Sequence, residues 1–167
     1  MSERRVVPVD EIVFRLEADA RELRIFHCTP ERYVDLAAGW LIGAGLMEPD
    51  KAPASRLSMH WAESGPVVYV DSIAGGWSDH DIARPEDFAA AAPKSRCAPP
   101  SDLRELFGQM YARATRYHES GGIHAAAVIG SEQIVGFAED VGRHNAVDKA
   151  IGEAARAPGR HSRSADW

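Results

Sequence analysis

A chain of 167 residues, 45% hydrophobic and 26% charged, has the balance of an ordinary globular protein and can bury a real core as one large domain or two small ones. Its net charge of −6 speaks against coating nucleic acid, which wants a basic surface. No apolar run approaches a membrane span; the longest, Leu36 to Met47, is interrupted by glycines and fits a buried helix.

The N-terminal residues Met1 to Arg5 lead into an alternating pattern and not into a signal-peptide core. Val7, Val9, Ile12, Phe14 and Leu16 predict a strand, with Pro8 marking an edge or a strand start. Leu23 to Cys28 predicts a second strand, joined to the first in a hairpin-like way through Asp19 and Ala20. Thr29-Pro30-Glu31 reads as a helix start, with Thr29 as cap and Pro30 at the first helical position. Tyr33, Leu36, Ala37, Trp40, Leu41 and Ala44 follow with the rhythm of a buried helical face. Gly39, Gly43 and Gly45 weaken that helix, so a neighbour is expected to pack closely against it.

Two further strands are predicted near Arg56 to Trp61 and Pro66 to Asp71, turning at Ser64-Gly65. Residues 72–80 are glycine-rich and irregular, and the prolines at 85, 93, 99 and 100 mark a crossover. Ser101 is expected to cap a helix burying Leu103, Leu106, Phe107, Met110, Ala114 and Tyr117, stopped by Ser120-Gly121-Gly122. Ile123 to Ile129 and Gln133 to Phe137 predict a hairpin across Gly130-Ser131-Glu132. A helix follows from Val141, and the polar tail from Ala157 reads as disordered. The expected division is an N-terminal part over 1–83, a linker over 84–100, a second part over 101–156 and the tail over 157–167.

The chemistry concentrates between Glu139 and Asn145, at the predicted strand-to-helix turn where α/β proteins put ligand sites. The expected apolar face of the last helix is Val147, Ala150, Ile151 and Ala154. At about 100° per residue, Asp140, Arg143 and His144 fall within roughly 60° of its centre. Gly142 leaves the first-turn N–H groups open to an anion, and Arg143 offers a fork to phosphate or carboxylate. Glu139 and Asp140 could cap the helix or fix Arg143 and His144. Two readings stand side by side: a phosphate or nucleotide pocket that also draws in His124, or a buried polar network with Asp140 as N-cap and Arg143 paired to Glu139. His118, His124 and His144 supply too few ligands of suitable type for zinc, so no metal is expected. Cys28 and Cys97 make no Cys-x-x-Cys pair, and two reduced thiols point to the cytoplasm. Lys94 and Arg96 beside Cys97 favour its thiolate, the reactive form, while the lack of a positioned base in the sequence favours an incidental surface cysteine. Cys28 reads as core.

Glu139-Asp140-Val141-Gly142-Arg143-His144-Asn145-Ala146-Val147-Asp148-Lys149 resembles the signature of the FdhD family, the formate dehydrogenase accessory sulfurtransferases. Gly121-Gly122-Ile123-His124-Ala125-Ala126-Ala127 is similar to a second motif of that family, and Thr29 to Leu46 to its N-terminal helix segment. The resemblance covers roughly Val6 to Gly152. It implies an α+β (α/β) fold, with a small N-terminal strand–helix part and a truncated mixed-sheet domain of cytidine-deaminase-like type. It implies sulfur transfer from a cysteine desulfurase to the bis-guanylyl molybdenum cofactor of formate dehydrogenase, with no nucleic acid and no membrane. Cofactor or guanine nucleotide would then meet Gly121, Gly122, His124, Glu139, Asp140, Gly142, Arg143, His144 and Asn145. The family's Cys-x-x-Cys loop would fall near Ile73 to Ser78, which has no cysteine, leaving Cys97 as the candidate sulfur carrier. Family members also continue past Gly152, so the chain resembles the family without the last third of its C-terminal domain. A non-catalytic scaffold that keeps the pocket, paired with a second copy or a full-length paralogue, is the alternative, and a truncated gene product a third.

Overall fold

The structure, a computed structural model, describes residues 7–49, 57–71, 100–130 and 133–157. The first strands are β1 (Ile12–Ala18) and β2 (Arg21–Cys28), an antiparallel pair whose turn residues Asp19 and Ala20 both take positive φ (49° and 58°). That is the backbone twist a tight hairpin requires. Helix α1 (Tyr33–Gly43) follows, then the hairpin β3 (Leu57–Ala62) and β4 (Gly65–Val70). The four strands form one sheet in the order β2-β1-β4-β3, with β1 and β4 parallel and the other pairs antiparallel. After it come α2 (Pro100–Arg113), the short α3 (Thr115–Ser120), the antiparallel hairpin β5 (His124–Ile129) and β6 (Ile134–Asp140), and the last helix α4 (Arg143–Arg156). The α/β content and mixed sheet expected from the sequence are present, the mixed sheet being the N-terminal one. No helix among the described residues is long and apolar enough to cross a membrane.

The main core lies between the sheet and α1. Phe14, Leu16, Phe26, Val68 and Val70 from the strands meet Tyr33, Leu36, Ala37 and Leu41. Phe14 and Phe26 are partners in the β1–β2 register and stack with centroids 5.1 Å apart. On its other side α1 packs against α4, and α4 in turn against β5 and β6. The layers therefore run sheet, α1, α4, hairpin.

The α1–α4 contact explains the glycines. A Cβ on Gly39 would lie 1.7 Å from the Asp148 carbonyl oxygen, and one on Gly152 would lie 1.9 Å from the Asp35 carbonyl oxygen. Each helix thus lets the other's backbone in. On the opposite face of α4, a Cβ on Gly136 of β6 would meet the Ala150 carbonyl oxygen at 2.1 Å. Ala146, Ala150, Ala154 and Ala155 fill the rest of that buried surface with small side chains. The close neighbour expected from the glycines of α1 is α4. Gly43 is looser, and Gly45 instead serves the turn after α1 at φ 73°.

Three local expectations are corrected. Helix α1 begins at Tyr33 after Arg32 in the left-handed region, so neither Thr29 nor Pro30 occupies its expected place. Helix α2 already includes Pro100 and Ser101, so Ser101 is not its cap. Of the apolar face expected for that segment, Leu106 and Ala114 are buried, but Phe107 and Tyr117 are 56% and 37% exposed, because α3 turns off at Ala114 and breaks the stripe. The stop at Gly121, in the left-handed region with φ 67°, is as expected. The irregular stretch 72–80, most of the crossover 84–100, Ser131, Glu132 and the tail from Pro158 lie outside the described residues.

Gly39→Ala and Gly152→Ala should each destabilise the protein by about 1–3 kcal/mol or more, because the added methyl meets rigid backbone. Gly108, in α2, has open space where its Cβ would be, and Gly108→Ala should stabilise by about 0.5–1 kcal/mol. Urea unfolding of the three variants checks both signs.

Candidate functional site

The turn between β6 and α4 is held by one carboxylate. Asp140, the last residue of β6, is wholly buried, and so is Lys149, two turns into α4. Lys149 Nζ lies 2.6 Å from Asp140 Oδ2. The same oxygen accepts the Thr29 hydroxyl at 2.8 Å and the Thr29 backbone N–H at 3.1 Å. Lys149 also donates to Thr29 Oγ1 (2.8 Å) and to the Thr29 carbonyl (3.3 Å). Asp140 Oδ1 accepts the Gly142 N–H at 2.8 Å and the Asn145 side-chain amide at 3.0 Å. Asn145 reaches the His27 carbonyl as well, at 2.6 Å. The end of β2 is thereby tied to the start of α4.

Burial alone would raise the Asp140 carboxyl; hydrogen bonds from Lys149, Gly142 and Thr29 and the Lys149 charge overcome it and hold the group below the usual carboxylate range. Cys28, next in chain to Thr29, is fully buried, and burial pushes its thiol up to about 12 against the pull of Lys149.

The neighbouring acid works elsewhere. Glu139 accepts the backbone N–H groups of Tyr117 (2.8 Å) and Arg116 (3.3 Å), serving the first turn of α3, which has no cap of its own. A second network braces the other end of the α1–α4 contact. Arg32 donates to Asp35 (3.0 Å) and to the Phe137 carbonyl (2.6 Å) and lies 3.2 Å from Glu153, while Arg156 donates to Asp35 at 2.6 Å.

These facts rearrange the site read from sequence. Asp140, at the end of β6, is buried and paired to the inward face of α4 through Lys149, but Arg143 and His144 are not on that face. Both are exposed, and neither makes a hydrogen bond or ion pair with another described residue. The expected helical face was turned by about one residue: Ala146, Lys149, Ala150 and Ala154 face inward while Val147 is 47% exposed. The α4 N-cap is Gly142 without a side-chain bond, so Asp140 is not the N-cap, and Arg143 is not paired to Glu139. Asn145 joins the buried network. His124 opens β5, exposed, in register with Asp140. Gly121 and Gly122 form the exposed stop of α3. Gly122 and Val141 line one cleft of about 330 Å³, shared with the N-terminal segment Val7–Val9. Thr29 and Lys149, the two other members of the buried core of the site, were not singled out as site residues. Lys149 could have been found from its place three residues after Ala146 and next to Ala150, which puts a cation on an alanine stripe. Cys97 lies outside the described residues. Among the described residues no group of three His, Cys, Asp or Glu side chains could hold a metal.

The family model described as FdhD/NarQ matches residues 69–165, more than half of the chain. The chain belongs to the FdhD/NarQ family. A relative described as sulfur carrier protein FdhD, from Methanothermobacter thermautotrophicus, is 29% identical over 168 residues, covering 92% of this chain and 65% of its own length. The protein of that description from Anaeromyxobacter dehalogenans strain 2CP-C is 55% identical over 95 residues, covering 55% of this chain and 31% of its own. A solved structure from Desulfotalea psychrophila, described as a candidate formate dehydrogenase accessory protein, superposes with a TM-score of 0.65 over 88% of this chain and 61% of that one, at 22% identity. That likeness is one of fold. The chain spans less than two thirds of the length of these relatives.

Lys149→Met should cost about 3–5 kcal/mol, because it strands a buried carboxylate, and Asp140→Asn/Lys149→Met should cost less than Lys149→Met alone. Urea unfolding at pH 7 measures both. Asp140 and Asp148 should shape the pH profile in opposite senses. The depressed Asp140 pKa lends stability that is present above the unfolded value of about 4 and lost as pH falls through the folded one. Asp148 lies against α1, and burial raises it to about 6 while Arg24 pulls it down. It favours the fold below about pH 4 and loses that contribution as pH rises toward 6. Asp148→Asn should therefore stabilise the protein at pH 7.5, by on the order of 1–2 kcal/mol, with the gain gone by about pH 4. Unfolding at several pH values separates the two.

Proposed function

We propose that this protein is an FdhD-type accessory protein of formate dehydrogenase, in which the start of α4 takes the anionic guanylyl end of the molybdenum cofactor and Cys97 carries sulfur. The observation that carries the reading is how the acidic residues of the signature are used. Asp140 is neutralised by Lys149 and Glu139 is turned to the backbone of α3, so the surface at the turn is left with Arg143 and His144, exposed and unpaired. A helix start with a free guanidinium suits phosphate. Gly122 and Val141 border a cleft, shared with Val7–Val9, Glu11 and Ser120, which gives a nucleotide room near that start.

Sulfur chemistry points to Cys97 by the state of the other thiol. Cys28 is inaccessible, and its raised pKa keeps it protonated. In transfer from a cysteine desulfurase, the Cys97 thiolate attacks the terminal sulfur of the desulfurase persulfide. The S–S bond breaks, the desulfurase thiolate leaves, and Cys97 carries the persulfide. Such chemistry needs reduced thiols and implies the cytoplasm. The absence of a Cys-x-x-Cys pair from the sequence favours a second reading, a scaffold that binds cofactor or a partner without carrying sulfur. Among the described residues the β5–β6 sheet is two-stranded, and a second copy or a longer paralogue would extend its edge.

Titration with GDP tests the binding half. Saturable binding is expected, weakened on the order of tenfold by Arg143→Ala, as for loss of one charge-assisted pair, and less by His144→Ala. A folded wild type that does not bind GDP rejects the site. For the sulfur half, labelled sulfur offered by a desulfurase should load the wild type and Cys28→Ala but not Cys97→Ala. Loading of Cys97→Ala rejects Cys97 as carrier, and no loading of the wild type selects the scaffold reading.

A further inference from the structure

We infer that Lys149 is a positioning residue for the anion site at the start of α4: it cancels the charge of the carboxylate that shapes the turn, so that Asp140 can hold Arg143 and His144 in place without repelling the anion they meet. The inference rests on the proposed anion site and adds to it a residue buried beneath the surface.

Asp140 divides its two oxygens between two tasks. Oδ1 takes the Gly142 N–H and the Asn145 amide, the residues that bracket Arg143 and His144. Oδ2 takes both donors of Thr29 and the Lys149 ammonium. All five partners donate, and only the Thr29 hydroxyl could accept in return, so the shell is built for an ionised carboxylate. That ionised group sits two residues before the first turn of α4, where an unbalanced negative charge would act directly on a bound phosphate. Lys149 reaches it from the same helix. Glu11 is the other charge near this spot, acting on Cys28 and lining the cleft beside Val141, and it is the same in every variant compared. Cys28 is a neutral thiol, Thr29 and Asn145 are uncharged, and Glu139 is directed at the backbone of α3. The task thus depends on the charge of Lys149 and not only on its bulk.

GDP titrations between pH 6 and 8 test this in wild type, Lys149→Met and Asp140→Asn/Lys149→Met. Each variant's Kd is divided by that of wild type at the same pH, which cancels every pH dependence the proteins share. Buried without its cation, Asp140 is neutral at low pH and ionises as pH rises. The Lys149→Met ratio should climb from near one to on the order of tenfold. The double variant, with no charge to unmask, should stay within about threefold throughout. A pH-flat ratio for Lys149→Met, or a double variant as weak as the single one, overturns the inference, since lost stability alone gives no such slope. Should Lys149→Met fail to fold, Asp140→Asn is read instead. Lys149 is then the unbalanced charge, and GDP should bind more tightly than to wild type; binding no tighter than wild type overturns the inference. A folded wild type that binds no GDP removes the anion site and this inference with it, a failure told apart by appearing without any substitution.

Discussion

The buried contact of Asp140 with Lys149 and Thr29 is the constraint on which the rest of this structure depends. It joins the end of β2 to the strand and helix that carry the signature, across 111 and 120 residues of chain. An ion pair with both members at zero exposure is costly to desolvate, and it is tolerated only where every lone pair and proton finds a partner. Here Thr29 supplies two donors and two acceptors to the pair, and Gly142 and Asn145 occupy the remaining oxygen. The N-terminal sheet and the C-terminal helix meet correctly in one register, because a slip of one residue along α4 would leave both charges unpaired.

Packing acts in concert with that pair. Gly39 and Gly152 let two helix backbones approach until each carbonyl occupies the other's missing Cβ, and Gly136 does the same for the hairpin. With backbones so close, there is no room for large side chains on α4, whose buried face is mostly alanine. Such a face gains little from apolar area, so polar fastening at its two ends becomes important: Asp140–Lys149 near the start, and Arg32, Asp35, Glu153 and Arg156 further along.

Much of this was legible in the sequence, for identifiable reasons. Alternating β1 and β2, the Asp19-Ala20 turn, the β3–β4 and β5–β6 hairpins and the glycine-stopped α3 are local patterns, and local patterns declare themselves. The glycines of α1 announced a close neighbour, though not which one. What misled was tertiary. Thr29-Pro30-Glu31 is a sound helix start, yet Thr29 was claimed by a carboxylate 111 residues away, and the helix began later. On α4 the larger apolar residues Val147 and Ile151 suggested the buried face, while the real one is lined by Ala146, Ala150 and Ala154 with Lys149 among them. Size and hydrophobicity point the wrong way when the contact demands smallness. Glu139 and Asp140 were legible as important but not as to purpose, because each answers to backbone or charge from a distant segment. The family motifs, by contrast, are legible as strings of residues, although the reason for them lies in the fold.

The long reach of the Thr29–Asp140–Lys149 fastening also has a kinetic meaning. During synthesis the β1–β2 hairpin and α1 are available early, but the partners of Thr29 and the helix that fills the back of α1 are made 111 to 120 residues later. Until then Thr29 and the glycine-lined back of α1 face solvent. Contacts of such sequence separation must overcome loop-closure entropy before they return any stabilisation, so docking of α4 is expected late in folding. Interactions formed after the rate-limiting step are felt chiefly as resistance to unfolding. The buried pair is therefore a latch on the lifetime of the folded state more than a guide to reaching it.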